Sequence, residues 1–265
     1  WTHRNLGEYT RLWAAREFGP QNAGDIADIM EKYAKYNARR KPELLEPTTY
    51  ALNDYREAET VVADFRAIEA GAQKIYGRLP QNAQDAFYDL VLFPVKACAQ
   101  LNELVVAAGK NALYARQGRA ATNDLADKVR QLFDADAALM DHYNRVFAGG
   151  KWNHFMDQVH IGYTIWQDPK ENVMPRVSRI DLPQAAAMGV AVEGSSSAWP
   201  GAAEDPSLPA FDAFNRQRHY VEIFNRGREP FTYTVSASAP WILLSGARGT
   251  VEKEERLWVS IDWAA

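Results

Sequence analysis

The stretch 151–167 (KWNHFMDQVHIGYTIWQ) contains the side chains best suited to chemistry. Within it, His154, Asp157, His160 and Tyr163 recur at every third position. Imidazoles beside a carboxylate can bind a metal, transfer protons or hydrogen-bond the hydroxyls of a sugar. Three-residue spacing spreads across a broad face of an α-helix, so it defines no convergent metal cage. The interpretation we favour is a hydrogen-bonded polar seam where this segment packs on a neighbouring domain, with Trp166 nearby.

A second cluster lies in the segment 36–42 (YNARRKP), where Arg39 and Arg40 follow a predicted helix. Paired guanidinium groups suit two-pronged recognition of a carboxylate such as that of a uronic acid. Cations are also favoured at the carboxyl end of a helix, where they offset the helix dipole. The sequence leaves both interpretations open.

Common catalytic signatures are missing from the sequence. It has no P-loop, dinucleotide glycine fingerprint, zinc-finger spacing, His-Glu-x-x-His motif or nucleophile elbow. Two carboxyl groups cleave a glycosidic bond, but no spacing here identifies such a pair among the many acidic residues. We therefore predict no catalytic residue, no metal site and no cofactor in this chain.

Composition and charge exclude two classes of partner. The net charge is −4 with no basic block, which provides no electrostatic footprint for nucleic acid or an anionic membrane. No stretch approaches the roughly 20 apolar residues that cross a bilayer. The single cysteine, Cys98, lies in an apolar helical pattern and is expected to pack as a small hydrophobe. One cysteine is compatible with either redox compartment, so the localisation stays open.

Apolar residues spaced three and four apart predict five or six helices over the first part of the chain. Gly19-Pro20 and Gly149-Gly150 are stop signals, and Pro94 is expected to kink the longest helix. The predicted helices run from about 5 to 18, from 22 to 37, from a start signal at 47–49 to 77, from 80 through 113, and from 123 to 147.

From residue 168 onward, prolines and small-residue runs replace the helical period. We predict strands at 189–193, 219–224, 231–235, 241–244 and 256–262. The segment 225–227 is interpreted as a hairpin turn, and alternation at 220, 222 and 224 and at 257, 259 and 261 predicts sheets with one covered face.

Together these elements predict a multidomain α-then-β chain, a five- to six-helix bundle followed by an antiparallel β-sandwich. Five strands fall short of the roughly seven of a complete sandwich, so we expect the chain to be part of a longer polypeptide. The predicted division is a bundle domain at 1–167, a linker at 168–188 and a partial sandwich at 189–265.

Four segments of the chain resemble one known family. The segments 5–20, 35–45, 151–167 and 226–241 resemble the C-terminal half of glycoside hydrolase family 115. Members of that family are xylan α-1,2-glucuronidases with a small N-terminal domain, a (β/α)8 barrel, a helical bundle and a C-terminal β-sandwich. The resemblance implies that this chain holds the bundle and the start of the sandwich, and that the catalytic barrel lies upstream.

The resemblance also implies a function and its setting. The chain would be an accessory region, inactive alone, of a secreted or periplasmic enzyme that removes glucuronic or 4-O-methylglucuronic acid from glucuronoxylan. Its partners would be the upstream barrel, the polysaccharide and, in one interpretation, a second copy of the chain. Arg39, Arg40 and the 154–166 residues become candidates for the domain interface or the rim of the substrate cleft. The alternatives are an independent carbohydrate-binding module with platforms such as Trp199 and Trp241, and a pure assembly domain.

Overall fold

A computed structural model describes residues 5–166 and 168–265 of the chain, without the side chain of Leu6. Residues 1–4 and Gln167, which the predicted bundle domain includes, lie outside the described residues. The chain forms two compact units. The first unit comprises the described parts of Trp1–Tyr50, Ala58–Val106 and Lys128–Pro175. The second unit comprises Ala51–Glu57, Ala107–Asp127 and Arg176–Ala265.

The compact units do not follow the chain in order, because the unit limits fall inside two long helices. A compact unit in space need not be a domain of the chain, so the units do not test the predicted division into 1–167, 168–188 and 189–265. That division stays a prediction. The described residues form six α-helices: α1 Leu6–Phe18, α2 Ala23–Asn37, α3 Glu57–Tyr76, α4 Gln81–Phe87, α5 Phe93–Gln117 and α6 Thr122–Asp141.

The first two helices form where the sequence predicts them. The side chain of Asn5 accepts a hydrogen bond from the amide of Gly7, 3.0 Å away, and so caps the amino end of α1. Gly19 ends this helix with φ at +89°, a conformation that favours glycine. The ring of Phe18 packs edge-on against Phe87 of α4, with centroids 5.3 Å apart.

The third helix begins later than predicted. The apolar pattern starts at Tyr55 after the signal at 47–49, whereas α3 begins at Glu57. Tyr55 and Arg56 have φ of +54° and +55°, the left-handed region, so the helix cannot extend back through them. Residues 52–54 accordingly form bends, and residues 55–56 form a turn.

The predicted kink near Pro94 is a π-helical turn. Residues Tyr88–Leu92 form this turn between α4 and α5, which widens the helix just before the proline that lacks an amide donor. The helical run Gln81–Gln117 is long and apolar enough to cross a membrane by length and composition, yet 72% of its most apolar window is buried within the protein. Such burial is typical of a core helix, and the absence of a membrane partner stays a prediction.

The strands form two antiparallel sheets in the second unit. One sheet has the order β1-β2-β6-β4 and the other pairs β3 with β5. This arrangement confirms the predicted fold class of helices followed by an incomplete β-sandwich. The strand at 248–251 was not predicted, because Arg-Gly-Thr-Val shows no alternation. The strands are β1 Met188–Val192, β2 His219–Asn225, β3 Phe231–Thr234, β4 Ile242–Leu244, β5 Arg248–Val251 and β6 Glu254–Ile261.

Two predictions about the sheet are wrong. The segment 225–227 is not a hairpin turn, because β2 and β3 belong to different sheets. Asn225 directs the chain instead: its Nδ2 donates to the carbonyl of Glu229 at 2.7 Å, and its Oδ1 accepts from the amide of Gly227 at 2.8 Å. Both faces of β2 are also covered, since Ile223 and Phe224 are buried on opposite sides. In β6, Leu257 and Val259 are buried as the alternation predicts.

Two asparagines hold the extended segment that precedes β1. Asn111 donates to the carbonyl of Ser178 at 2.9 Å and accepts from its amide at 2.7 Å. Asn123 makes the same pair of bonds to Ile180, both at 3.0 Å. Part of the predicted linker is therefore fixed to the helical residues of the second unit.

A buried guanidinium lies at the centre of the second unit. Arg119 is 1% exposed, and its Nη1 lies 2.7 Å from Oε2 of Glu222 on β2. The rings of Tyr114 and Phe224 enclose it at 4.1 and 4.3 Å. Burial raises the pKa of Glu222, but Arg119 and Arg256 oppose this and hold that pKa below its usual value.

We expect Arg119→Met to destabilise the second unit by about 3–5 kcal/mol, because it leaves Glu222 buried with fewer cationic partners. Denaturant unfolding followed by tryptophan fluorescence measures this loss. Arg116→Met is the matched control: Arg116 is exposed in the last turn of α5, three residues before Arg119, and its loss should change stability by less than about 0.5 kcal/mol. Equal effects of the two substitutions would contradict the proposed role of the buried cation.

Candidate functional site

The side chain of Asn144 positions the first half of the 151–167 stretch. Its Nδ2 donates to Oδ1 of Asp157 at 2.8 Å, and its Oδ1 accepts from the amide of Met156 at 2.9 Å. Oδ2 of Asp157 lies 2.7 Å from Nδ1 of His154, whose φ is +69°. His154 and Asp157 are therefore brought together by an irregular turn.

His160 lies between two acceptors. Its Nε2 is 2.9 Å from Oδ2 of Asp136, and its Nδ1 is 3.0 Å from the carbonyl oxygen of Gln158. A neutral imidazole carries a proton on only one ring nitrogen, so two acceptors favour the doubly protonated imidazolium. Burial lowers the pKa of His160, but the hydrogen bond to Asp136 and its charge outweigh burial and raise that pKa.

Asn172 fixes the backbone on which His160 stands. Its Oδ1 accepts from the amides of His160 and Ile161 at 2.9 and 3.0 Å. Ile161 is 2% exposed. The backbone of His160 is therefore fixed by Asn172, and its ring is fixed by Asp136 and the carbonyl of Gln158.

The first unit contains a cleft of about 420 Å³, which we call the Asp136 cleft. His160, Tyr163 and Trp166 lie on its wall, whereas His154 and Asp157 do not. Trp166 is 73% exposed at this site. The other lining residues are Pro42, Glu43, Phe93, Ala97, Cys98, Leu101, Asp136, Met140, Phe155, Met156, Gln158 and Val159.

Cys98 is buried as a small hydrophobe, as its helical pattern predicts, and it also lines the cleft. It is 6% exposed, and its Sγ lies 3.8 Å from the hydroxyl of Tyr33. Burial raises the pKa of the Cys98 thiol, so the unreactive protonated form predominates.

The arginine cluster does not reach this cleft. Nη2 of Arg39 lies 2.8 Å from Oδ2 of Asp64, and its guanidinium stacks over Tyr36 at 4.8 Å. Nε of Arg40 donates to the carbonyl of Leu44 at 3.2 Å. Both cations therefore have partners inside the first unit.

Asp136 is the site residue that the sequence reasoning missed. It is 2% exposed and lies on α6. A signal was available, because Asp136 occupies an apolar position of the stripe formed by Val129, Leu132, Leu139 and Tyr143, at steps of three and four. A carboxylate at such a position must be buried with a partner. Among residues 5–166 and 168–265, no group of three or more His, Cys, Asp or Glu side chains could hold a metal ion.

Comparison with known proteins links one part of the chain to a family. Residues 1–44 match the model of glycosyl hydrolase family 115, which confirms the resemblance for this part of the sequence. No curated protein matches the chain.

A solved structure described as a novel family GH115 4-O-methyl-α-glucuronidase, BtGH115A, with specificity for decorated arabinogalactans is similar to the chain at a TM-score of 0.47 and 17% sequence identity. The similarity covers 98% of this chain and 40% of that one, so the chain spans less than half the length of that protein.

The ion pair of His160 predicts a pH dependence of stability. The pKa of His160 is raised by folding, so its stabilising contribution is complete below the usual histidine pKa of about 6.5 and is lost as pH rises through the folded value. Urea unfolding between pH 5.5 and 8.5 should show a fall with pH that His160→Gln reduces. Titration of the His160 ring by NMR should give a raised pKa that Asp136→Asn lowers. A ring pKa at or below the usual value would contradict the ion pair.

Proposed function

We propose that this chain is an accessory region of a family 115 α-glucuronidase, in which it supports an upstream catalytic barrel. The observation that carries the proposal is a contrast within the first unit. The polar groups that could bind a substrate are already bound to partners within this unit, whereas large apolar side chains near them are exposed.

The polar half of this contrast concerns the candidate residues. The guanidinium of Arg39 is bound to Asp64, and the imidazoles of His154 and His160 are bound to Asp157 and Asp136. A group that recognises substrate must exchange such a partner for the ligand. These residues therefore suit a structural role better than the recognition of a uronic acid.

The apolar half lies along the segment 155–173. The exposed fractions are 64% for Phe155, 64% for Ile165, 73% for Trp166 and 52% for Val173. Large exposed apolar side chains in one segment are typical of a surface that another domain or chain covers. A barrel packed on this segment would remove them from water and stabilise both parts.

The activity proposed for the intact enzyme is hydrolysis of glucuronic or 4-O-methylglucuronic acid side chains from glucuronoxylan. Two carboxyl groups of the barrel would carry out this step. The match of residues 1–44 to the family supports this assignment. The role of the chain is then to brace the barrel and to edge either the substrate cleft or a dimer interface.

A second candidate function is carbohydrate binding by the chain itself. Exposed tryptophan rings are the platforms on which sugars stack, and Trp166 and Trp241 are 73% and 46% exposed. Trp199 suits this role less well, because it is half-buried and its Nε1 donates to the carbonyl of Glu204 at 2.6 Å.

We expect the isolated chain to release no glucuronic acid from glucuronoxylan, and the enzyme in which it follows a catalytic barrel to release it. Decorated arabinogalactan, the polymer named for the similar structure, serves as a second substrate in the assay. Turnover by the isolated chain would contradict the accessory role. Inactivity of the intact enzyme on both polymers would contradict the family assignment.

Trp166→Ser separates bracing from sugar binding. If the barrel covers Trp166, the substitution should lower the melting temperature of the intact enzyme by about 2–4 °C and leave that of the isolated chain unchanged. If Trp166 is a sugar platform, the substitution should weaken binding of the polysaccharide by the isolated chain. Phe214→Ser is the matched control, because Phe214 is 95% exposed in the second unit and should affect neither measurement.

Substitution of Arg39 and His154 tests the rim of the substrate cleft. Under the bracing role, Arg39→Ala and His154→Ala should leave kcat and KM of the folded intact enzyme unchanged. A raised KM with unchanged kcat would place these side chains on the substrate.

A further inference from the structure

The second unit contains a polar cleft of about 700 Å³, which we call the Arg226 cleft. Its walls come from the end of α5, the extended segment at 180–181 and parts of the loop 196–202, and Arg226, directly after β2, also lines it. Its volume lies within the range of sites that hold small molecules. All of these residues belong to the second unit, and none lies in the segment 155–173 that we assign to contact with the barrel.

Two backbone carbonyls fix the guanidinium of Arg226. Its Nε donates to the carbonyl of Gln117 at 3.0 Å, and its Nη1 donates to the carbonyl of Pro200 at 2.9 Å. Both of these partners line the cleft, so the guanidinium connects the end of α5 to the loop 196–202. The side chain of Gln117 holds this loop as well, because its Nε2 donates to the carbonyl of Ser196 at 2.9 Å. The position of the cation in the cleft is therefore set by the fold.

Arg226 is a half-buried cation whose hydrogen bonds in the described chain go only to carbonyls. A guanidinium has five N–H donors, so three of them remain for another acceptor. Burial and the positive charge of Arg119 lower the pKa of Arg226. Both effects disfavour the cation, and an anion beside it would offset both.

The other lining groups also favour an anion. Arg116 adds a second guanidinium to the wall, whereas Asp181 is the single carboxylate among the described residues that line the cleft. Guanidinium groups bind the paired oxygens of a carboxylate or a phosphate through two parallel hydrogen bonds. None of the described residues in the lining is aromatic, so the cleft offers no platform on which a neutral sugar could stack.

The geometry points to the Arg226 cleft as a binding site for a small oxyanion, a carboxylate or a phosphate, whose oxygens accept from Arg226 while Arg116 adds positive charge at the wall. This proposal goes beyond the bracing role, because it requires neither a catalytic barrel nor the segment 155–173. The competing interpretation is that Arg226 only caps α5, since cations are favoured at the carboxyl end of a helix.

Three probes test the ligand chemistry on the full 265-residue chain. Acetate and phosphate are the two oxyanions, and acetamide has the shape of acetate without its charge. Titrations at constant ionic strength, followed by backbone amide signals in NMR, should show saturable shifts at Gly118, Ser197 and Arg226 with an oxyanion. Acetamide should bind about tenfold more weakly than acetate, because it lacks the charge. The relative affinities of acetate and phosphate identify which oxyanion the cleft prefers.

Removal of one positive charge tests the role of Arg226. Arg226→Gln should weaken binding of the oxyanion about tenfold, because it removes a charge-assisted hydrogen bond. Arg248→Gln is the matched control: it removes the same charge from an exposed position on β5 that does not line the cleft. The control should bind the oxyanion as tightly as the unaltered chain.

A second pair of variants changes the space and keeps every charge. Ala202→Phe narrows the cleft from the loop and should weaken binding of the oxyanion about tenfold. Ala203→Phe is its matched control, because Ala203 is exposed next to it and does not line the cleft. Circular dichroism and urea unfolding verify that each variant is folded. This pair tests the site even where loss of the helix cap unfolds Arg226→Gln.

Four results would overturn the proposal. The first is the absence of saturable shifts with both oxyanions, and the second is equal binding of acetate and acetamide. The third is equal weakening by Arg226→Gln and Arg248→Gln, which would indicate attraction to the net charge alone. The fourth is unchanged binding by folded Arg226→Gln or Ala202→Phe, which would leave Arg226 only the capping role. None of these results depends on whether the intact enzyme releases glucuronic acid, so this proposal and the proposed function fail separately.

Discussion

The buried charge of Arg119 determines how the second unit is built. A guanidinium with 1% exposure requires partners on every side, and the unit supplies carboxylates from Glu222 and Glu254, the amide oxygen of Gln117 and two aromatic faces. These partners come from both the helical residues and the strands β2 and β6. Neither part could shift without leaving a charge unpaired. Specific pairing of Arg119 therefore joins the helical residues of this unit to β2 and β6.

The sequence predicts an element well when neighbouring residues determine it, and poorly when distant residues do. The caps and stops of α1 and α2 involve neighbouring residues, such as Asn5 and Gly19, and their helices were predicted within one residue. The start of α3 depends on the left-handed backbone at Tyr55, which no periodicity reveals. The change of sheet after β2 depends on bonds from Asn225 to Glu229 and Glu252, and the latter is 27 residues away. The residue types at 225–227 are as typical of a hairpin turn as of this change of sheet.

The same distinction applies to the candidate site. The spacing of His154, Asp157, His160 and Tyr163 predicted a hydrogen-bonded polar seam, and an irregular turn brings the first two of them to 2.7 Å. The partner of His160 could not be found from the local stretch, because Asp136 lies 24 residues earlier on α6. A charged residue in an apolar stripe was the available signal. A search of this apolar stripe for charged residues, as well as for its spacing, would have identified Asp136.

Arg119 and Asp136 show two outcomes of burying a charge. Arg119 is surrounded by carboxylates and rings within its own unit, so adding a ligand there would displace a partner and gain little. Asp136 has one oxygen engaged and one without a donor, beside a cleft with an apolar wall. The two charges therefore differ in how completely their own unit pairs them: Arg119 is surrounded by partners, whereas one oxygen of Asp136 has no donor among the described residues.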